Sequence, residues 1–147
     1  MPVDEPLIRA AVDQADRRWP RRDAVAAAIR LEDGAILTGV SLANYKAAMT
    51  LCAETGPICT AYSNDQTIVA SVCVSIDRAI GTRSVLAPCG TCQERLALWG
   101  PDVDVGVADP ADPAAWSSRK LRELIPFYWA AASQVDSAWP AVSDHEW

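Results

Sequence analysis

One segment constrains the fold more than any other: the ten residues at 67–76, "TIVASVCVSI", which are apolar or β-branched almost throughout. A run of this kind lacks the alternation of a half-exposed strand and predicts a strand that is buried on both faces. Such a strand needs helices on each side of its sheet. The segment therefore predicts an α/β fold with a covered sheet.

The neighbouring patterns supply those helices and further strands. They predict one domain over residues 1–147, with a C-terminal extension from about 130 that adds a helix to about 138. The chain begins with a predicted helix that has Leu7, Ile8, Ala11, Val12 and Ala15 on one face, followed by a hairpin over 23–43 that turns at "EDG". A helix over 52–62, the strand 67–76 and a helix over 89–100 closed by Gly100 come next. The last predicted elements are a strand over 103–109, a Pro-rich loop over 108–116, and a helix over 117–125 that is capped by Ser117 or Ser118 and stopped by Pro126.

The composition restricts the classes of binding partner and the cellular compartment that we expect for this protein. The formal net charge is −6 and no long run of Lys or Arg occurs, which disfavours nucleic acid and anionic membranes as partners. The short basic stretch "DRRWPRRD" at 16–23 is interpreted as a solvated turn. No apolar run approaches the roughly 18 residues of a membrane span, and the N-terminus lacks the order of a signal peptide. We therefore expect a cytoplasmic protein whose cysteines are ligands or core residues rather than disulfides.

Three cysteines and one glutamate form a metal-site pattern. Cys89 and Cys92 are a C-x-x-C pair at a predicted helix start, where a turn brings both sulfurs to one point and the helix dipole favours thiolates. A third thiolate from Cys52 would leave one position of a tetrahedral Zn²⁺ open, as in catalytic zinc sites. Glu54, two residues from Cys52, would then be placed to move protons.

A C-x-x-C pair also occurs in redox sites and zinc ribbons. A redox pair fits poorly with the proline directly before Cys89 and with a lone Cys52 beside an acid. A structural ribbon would need a fourth ligand. Cys59 and Cys73 are candidates but are interpreted as small apolar core residues, and His145 as a residue of the tail.

Taken together, C-A-E at 52–54 followed by P-C-x-x-C at 88–92 resembles the cytidine deaminase family. The likeness is to its small, usually tetrameric three-cysteine branch, which includes blasticidin S deaminases. The hairpin lies at the family's usual distance before C-A-E, and "LRELIP" at 121–126 matches a late leucine-leucine-proline motif, so the resemblance covers about residues 7–129. It implies a three-layer α/β/α fold with a mixed central sheet of about five strands.

The resemblance also implies a mechanism and a set of ligands. Zinc held by Cys52, Cys89 and Cys92 would supply hydroxide that attacks the amine-bearing carbon of an aromatic ring. Glu54 would protonate the ring nitrogen and then the departing ammonia. The backbone of Ala53 would lie against the polar edge of the ring.

The substrate positions depart from the family pattern. Where the family has a phenylalanine in the first strand, and an asparagine and a glutamate that bind the ribose, this chain has Asp23, Ser41 and Ala43. Loss of those acceptors should weaken recognition of a nucleoside. Asp23 is interpreted either as a partner of a cationic or N–H-rich substrate, or as a strand-end carboxylate paired with Arg21, Arg22 or solvent. Blasticidin S deaminases retain the asparagine, so the match to that branch is also incomplete.

Two further positions bear on the pocket. Trp129 stands where the family has an aromatic residue that stacks over the ligand of a neighbouring subunit, although a core or interface role fits "IPFYW" equally well. Thr55 replaces an arginine with which some members offset the charge of the three thiolates. Helix dipoles and backbone N–H groups are then expected to provide that screening.

The sequence thus predicts a zinc-dependent hydrolytic deaminase that acts on a small amino-substituted nitrogen heterocycle rather than on ordinary cytidine. The resemblance implies a homo-oligomer, a tetramer or a dimer. The first alternative is a cytidine or blasticidin S-type deaminase that has rebuilt its sugar contacts. The second alternative, from another class, is a non-catalytic module stabilised by zinc.

Overall fold

The computed structural model describes residues 1–133 and residue 139. Its helices and strands, in chain order, are α1 Glu5–Arg18, β1 Ala24–Leu31, β2 Ile36–Val40, α2 Thr55–Ser63, β3 Ile68–Asp77, β4 Thr82–Leu86, α3 Gly90–Leu96, β5 Asp104–Asp109, β6 Asp112–Lys120 and α4 Leu121–Leu124. Short 3₁₀ turns span Ala47–Met49, Ala97–Trp99 and Trp129–Ser133.

The strands form one mixed sheet in the order β2-β1-β3-β5-β6, with β4 paired to β3 as well. The buried run that predicted a central strand is β3. It pairs with β1 and β4 in antiparallel fashion and with β5 in parallel fashion. The predicted α/β fold with a mixed central sheet is confirmed, with six strands in place of about five.

Helices cover both faces of the sheet. One apolar cluster joins α1 to the alanines of β1 and to β3, through residues that include Leu7, Ala11 and Val72. A second cluster on the opposite face joins α2 and α3 to the sheet, with Ile58 and Leu96 at its centre. A third, smaller cluster of Ala27, Ala53 and Cys73 lies under the start of α2. The sheet is therefore the middle layer of three.

An ion pair fixes α1 to the sheet. Asp4 caps the helix by accepting a hydrogen bond from the Leu7 N–H, and its carboxylate lies 2.6 Å from the guanidinium of the buried Arg30. The hydrogen bond from Arg30 lowers the pKa of Asp4 against the opposing effect of burial. Asp4 therefore stabilises the fold above the ordinary carboxyl pKa, and this contribution is lost as the pH falls through the lower pKa of the folded state.

Two local predictions were wrong. The stretch 108–116, predicted as a loop, contains the end of β5 and the start of β6, joined at a turn where Asp109 accepts a hydrogen bond from the Ala111 N–H. The predicted helix over 117–125 is strand through Lys120 and helix only over Leu121–Leu124. Because β6 lies at the edge of the sheet, a proline within it is tolerated, and pairing with β5 overrides local helical preference.

Other predicted elements are confirmed with shifted ends. Gly100 closes the α3 region with a φ of 94°, and the N-terminal helix buries the predicted apolar face except for Val12, which is only half-buried. The helix predicted over about 130–138 falls largely outside the described residues, which show a 3₁₀ turn to Ser133. Within residues 1–133 and 139, no helix is long and apolar enough to cross a membrane.

Candidate active site

The segment that carries Cys52 and Glu54 leads directly into α2. Glu54 is the residue before the first helical turn, and the Thr55 N–H donates to the carbonyl of Cys52 at 3.0 Å. Pro57 falls in this first turn, where its missing N–H is not required by the helix. The start of α2 therefore places a thiol and a carboxyl side by side.

The second segment is the start of α3, where the C-x-x-C pair lies. Cys89 is the N-cap residue and Cys92 lies in the first turn, fully buried. The side-chain amide of Gln93 donates through Nε2 to the carbonyl of Pro88 at 2.7 Å, which fixes the entry into the helix. Arg95 on α3 donates to the hydroxyl of Thr55 at 2.8 Å and so joins the two helix starts.

The two helix starts bring the three cysteines together. The Sγ atoms of Cys52, Cys89 and Cys92 all lie within 4.8 Å of one another, and those of Cys52 and Cys89 are 3.4 Å apart. Bonds of about 2.3 Å at tetrahedral angles would place thiolate sulfurs about 3.8 Å apart around Zn²⁺. The donor set and its spacing therefore fit a zinc ion with one open position.

The pKa values of these thiols also indicate that a cation is needed at this site. The hydrogen bond with Cys89, and then burial, raise the pKa of Cys52. Burial, and then the charge of Glu54, raise the pKa of Cys92. Burial also opposes ionisation of Cys89, but hydrogen bonds from the backbone of Cys92, the thiol of Cys52 and the backbone of Thr91 lower its pKa below the ordinary value. Three thiolates beside a carboxylate need a metal cation to be stable together.

Glu54 lies in a cavity beside the cysteines. Its side chain is only 3% exposed, and no group in the described part of the chain donates a hydrogen bond to its carboxylate. Burying a carboxylate without a hydrogen-bond partner costs free energy, and such groups are typical of catalytic sites. The cavity has a volume of about 130 Å³ and is lined by Val25, Ser41, Cys52, Ala53, Glu54, Cys73, Leu86, Ala87 and Cys89.

The predicted substrate residues divide into two groups. Ser41 and Ala53 line this cavity. Asp23 does not, because its carboxylate accepts a hydrogen bond from the Arg78 N–H at the end of β3, as the strand-end interpretation expected, although with a different partner. Trp129 also lies outside the cavity, with its exposed indole donating to Glu94 on α3 at 3.0 Å.

Two residues have parts in this site that the sequence analysis did not foresee. Cys73 on β3 is a buried core residue, as interpreted from the sequence, but it also forms part of the cavity wall, and burial raises its pKa so that it remains a neutral thiol. Gly39 lies on β2 against the start of α2. A Cβ added to Gly39 would come within 2.6 Å of the carbonyl oxygen of Ala53 and 2.7 Å of Cδ of Pro57. The contact joins segments that are distant in the chain, so it appears only in the folded structure. The single sequence signal for it is a glycine inside a predicted strand, which often marks a close approach of another backbone.

The contact at Gly39 leads to a first prediction. Gly39→Ala should displace the Cys52–Glu54 segment, lowering the free energy of unfolding by about 1–3 kcal/mol, the usual cost of overpacking, together with kcat. Urea unfolding and ammonia release measure the two effects. Gly56→Ala is the matched control, since a Cβ at Gly56 meets nothing within 4 Å and alanine favours the helix. Equal behaviour of the two variants would contradict the role of the close approach.

Comparison with known proteins places this site in a family. No protein-family model matches the chain. A cytidine deaminase of Mycobacterium tuberculosis is 34% identical over 106 residues, which cover 71% of each protein. The chain belongs to the cytidine deaminase family. Members of this family are hydrolytic deaminases, and a blasticidin-S deaminase of Bacillus cereus is 39% identical over 85 residues, covering 53% of this chain and 59% of that protein.

Solved structures agree with this membership. The crystal structure of cytidine deaminase from Bacillus anthracis matches with a TM-score of 0.80 and 34% identity, covering 88% of this chain and 91% of that one. A cytidine deaminase structure from Mycobacterium tuberculosis matches with a TM-score of 0.62 and 30% identity over 86% of this chain and 98% of that one. The hydrolytic deaminase class and the fold expected from the sequence are therefore both confirmed.

Proposed function

We propose that this protein is a zinc-dependent deaminase that releases ammonia from an amino-substituted nitrogen heterocycle other than ordinary cytidine. The observation that carries the proposal is the buried, unpartnered carboxylate of Glu54 in the same cavity as Cys52 and Cys89. A structural zinc site has no use for such a group, which disfavours a non-catalytic module.

Each residue has a defined part in this reaction. Cys52, Cys89 and Cys92 would hold the metal, and bound Zn²⁺ supplies a nucleophile at neutral pH by lowering the pKa of its water to about 7. Glu54 would carry the first proton of the attacking water to the ring nitrogen and the second, from the hydroxyl of the adduct, to the departing amine. The water oxygen forms a bond to the ring carbon, and the carbon–nitrogen bond breaks with release of ammonia.

Residues in and near the cavity support a substrate that differs from cytidine. Ser41 provides a short hydroxyl where the family resemblance gives an asparagine, and Ala43 has no polar group where it gives a glutamate. Neither residue can accept hydrogen bonds from a ribose as those side chains would. The alternative, a cytidine or blasticidin S substrate with rebuilt sugar contacts, draws its support from the activities named for the two similar enzymes.

A substrate panel tests the proposal. We expect the zinc-loaded protein to release ammonia from at least one member of a set containing cytosine, guanine, blasticidin S and aminated triazines or pyrimidines. Its kcat/KM for that compound should exceed the values for cytidine and deoxycytidine. Ser41→Asn combined with Ala43→Glu should raise kcat/KM for cytidine by about tenfold or more, as one or two restored hydrogen bonds would. A wild type that prefers cytidine, with no gain in the double variant, would favour the alternative.

We also propose that the protein assembles as a tetramer or dimer in the cytoplasm. Large apolar side chains are exposed on the segment 42–51, namely Leu42, Met49 and Leu51. Phe127 and Trp129 are exposed near α3, where Trp129 could reach the ligand of a second subunit. All five cysteines are free thiols, which suits a reducing compartment.

A further inference from the structure

A second hollow, of about 400 Å³, is lined by Arg22, Ala43, Asn44 and Tyr45, which lie two to four residues along the chain from Val25 and Ser41 of the active-site cavity. The same two chain segments border both spaces, since Val25 and Ser41 line the cavity and are joined by a hydrogen bond of 3.0 Å from the Ser41 N–H to the Val25 carbonyl. Two further residues of extended chain span about 7 Å. A substrate whose ring fills the cavity can therefore extend into this hollow, which we call the outer hollow.

The outer hollow presents a cation without a counter-charge. The guanidinium of Arg22 lies 4.3 Å from the ring centroid of Trp19, a stacking contact that holds its position. No carboxylate in the described part of the chain forms an ion pair with Arg22. Arg18 makes a similar contact at 3.5 Å from Trp19, but it does not line the outer hollow.

The two acids that bracket the basic stretch at 16–23 are both engaged by Arg78. Asp16 forms an ion pair with the Arg78 guanidinium, and Asp23 accepts a hydrogen bond from the Arg78 backbone N–H. The Arg78 guanidinium also donates to the carbonyls of Trp19 and Arg22. The turn is therefore fixed by Arg78, and its acids are directed to a partner other than Arg22.

The other polar groups of the outer hollow are donors as well. The Asn44 side-chain oxygen accepts a hydrogen bond from the Lys46 N–H at 3.0 Å, which leaves the amide NH₂ free to donate. Tyr45 is fully exposed and offers its hydroxyl. No acidic side chain lines this space. Guanidinium, amide and hydroxyl donors around one opening are the groups that recognise a carboxylate or a phosphate.

We propose that the outer hollow binds an anionic substituent of the substrate, a carboxylate or a phosphate, and that Arg22 determines this specificity. The inference deepens the proposed deaminase function and rests on it. The anion would take the place of the ribose contacts that Ser41 and Ala43 no longer provide, since Ala43 itself lines the outer hollow beside Arg22. The basic stretch is then a specificity element rather than a solvated turn.

A matched set of three substrates tests the proposal: cytidine, its 5′-carboxylic acid and cytidine 5′-monophosphate. We expect one or both anionic compounds to exceed cytidine in kcat/KM, and the preferred one identifies carboxylate or phosphate as the recognised group. Arg22→Gln should raise KM for that compound by about tenfold, the effect of one charge-assisted hydrogen bond at an exposed site. Its kcat should change little, Arg22→Lys should recover part of the loss, and added salt should raise KM in the wild type.

Arg18→Gln is the control, because it removes the same charge and an equivalent contact with Trp19 outside the outer hollow. Its KM for the anionic compound should stay within about twofold of wild type, as expected for an exposed charge without a ligand contact. Equal kcat/KM for all three substrates, or equal effects of the two variants, would overturn the inference while leaving deaminase activity intact. If no heterocycle releases ammonia under any condition, the proposed function itself fails.

Discussion

Glu54→Gln is expected to lower kcat for ammonia release by about 10²–10⁴-fold, the range typical of a lost general acid–base catalyst. Glutamine keeps the size of the side chain but cannot accept a proton from water or deliver one to the leaving amine. The zinc content should remain that of the wild type, because Glu54 is not among the three clustered thiols. Metal analysis by mass spectrometry and an ammonia assay on the same preparation measure both quantities.

The same variant should not lose stability. Glu54 is 3% exposed and receives no hydrogen bond from the described residues, so a neutral amide relieves the cost of burying a charge. Its free energy of unfolding should therefore match or exceed the wild-type value. Glu32→Gln, at an exposed position in the β1–β2 turn, controls for the loss of one carboxylate. Ammonia release at the wild-type rate by Glu54→Gln would remove this residue from the proton transfers.

Cys89→Ser is expected to abolish stable zinc binding, with activity falling by at least about 100-fold, a loss that even indirect changes around metal ligands can cause. A serine hydroxyl is a poor zinc ligand, and only two thiols would remain in the cluster. Cys89 is exposed, so the substitution itself leaves the core intact. The metal content should fall from about one ion per chain, as a mononuclear site predicts, to near zero.

Thermal unfolding gives this prediction a second readout. Metal that joins the starts of α2 and α3 binds only the folded state and so raises Tm. A chelator should lower the Tm of the wild type and leave that of Cys89→Ser unchanged. Cys59→Ser is the matched control. The interpretation of Cys59 as a core residue was wrong, because it is an exposed, free cysteine of α2 outside the cluster. Loss of zinc in both variants, or in neither, would contradict the assignment of ligands.

The sequence singled out the three cysteines that the structure brings together, because each of their two motifs is local. The C-x-x-C spacing and the C-A-E segment each place their groups within one helical turn, and the helix starts at Thr55 and Gly90 follow from the same short stretches. It failed over 108–120, where prolines and serines indicated a loop and a helix cap. There, pairing of β6 with β5 decides the structure, and a strand partner distant in the chain has no local signature.

By itself, the sequence determined the buried central strand and the family, and it singled out the four residues of the proposed chemistry. Only the tertiary structure decided what surrounds them. It placed Cys73 and Ser41 in one wall of the cavity, turned Asp23 toward Arg78, and left Arg22 beside the outer hollow without a carboxylate partner. The physical reason is that the spacing within C-A-E and within C-x-x-C is encoded in single turns. The meeting of Cys52 with Cys89, the charge pairing and the cavity walls depend instead on contacts between segments that are far apart in the chain.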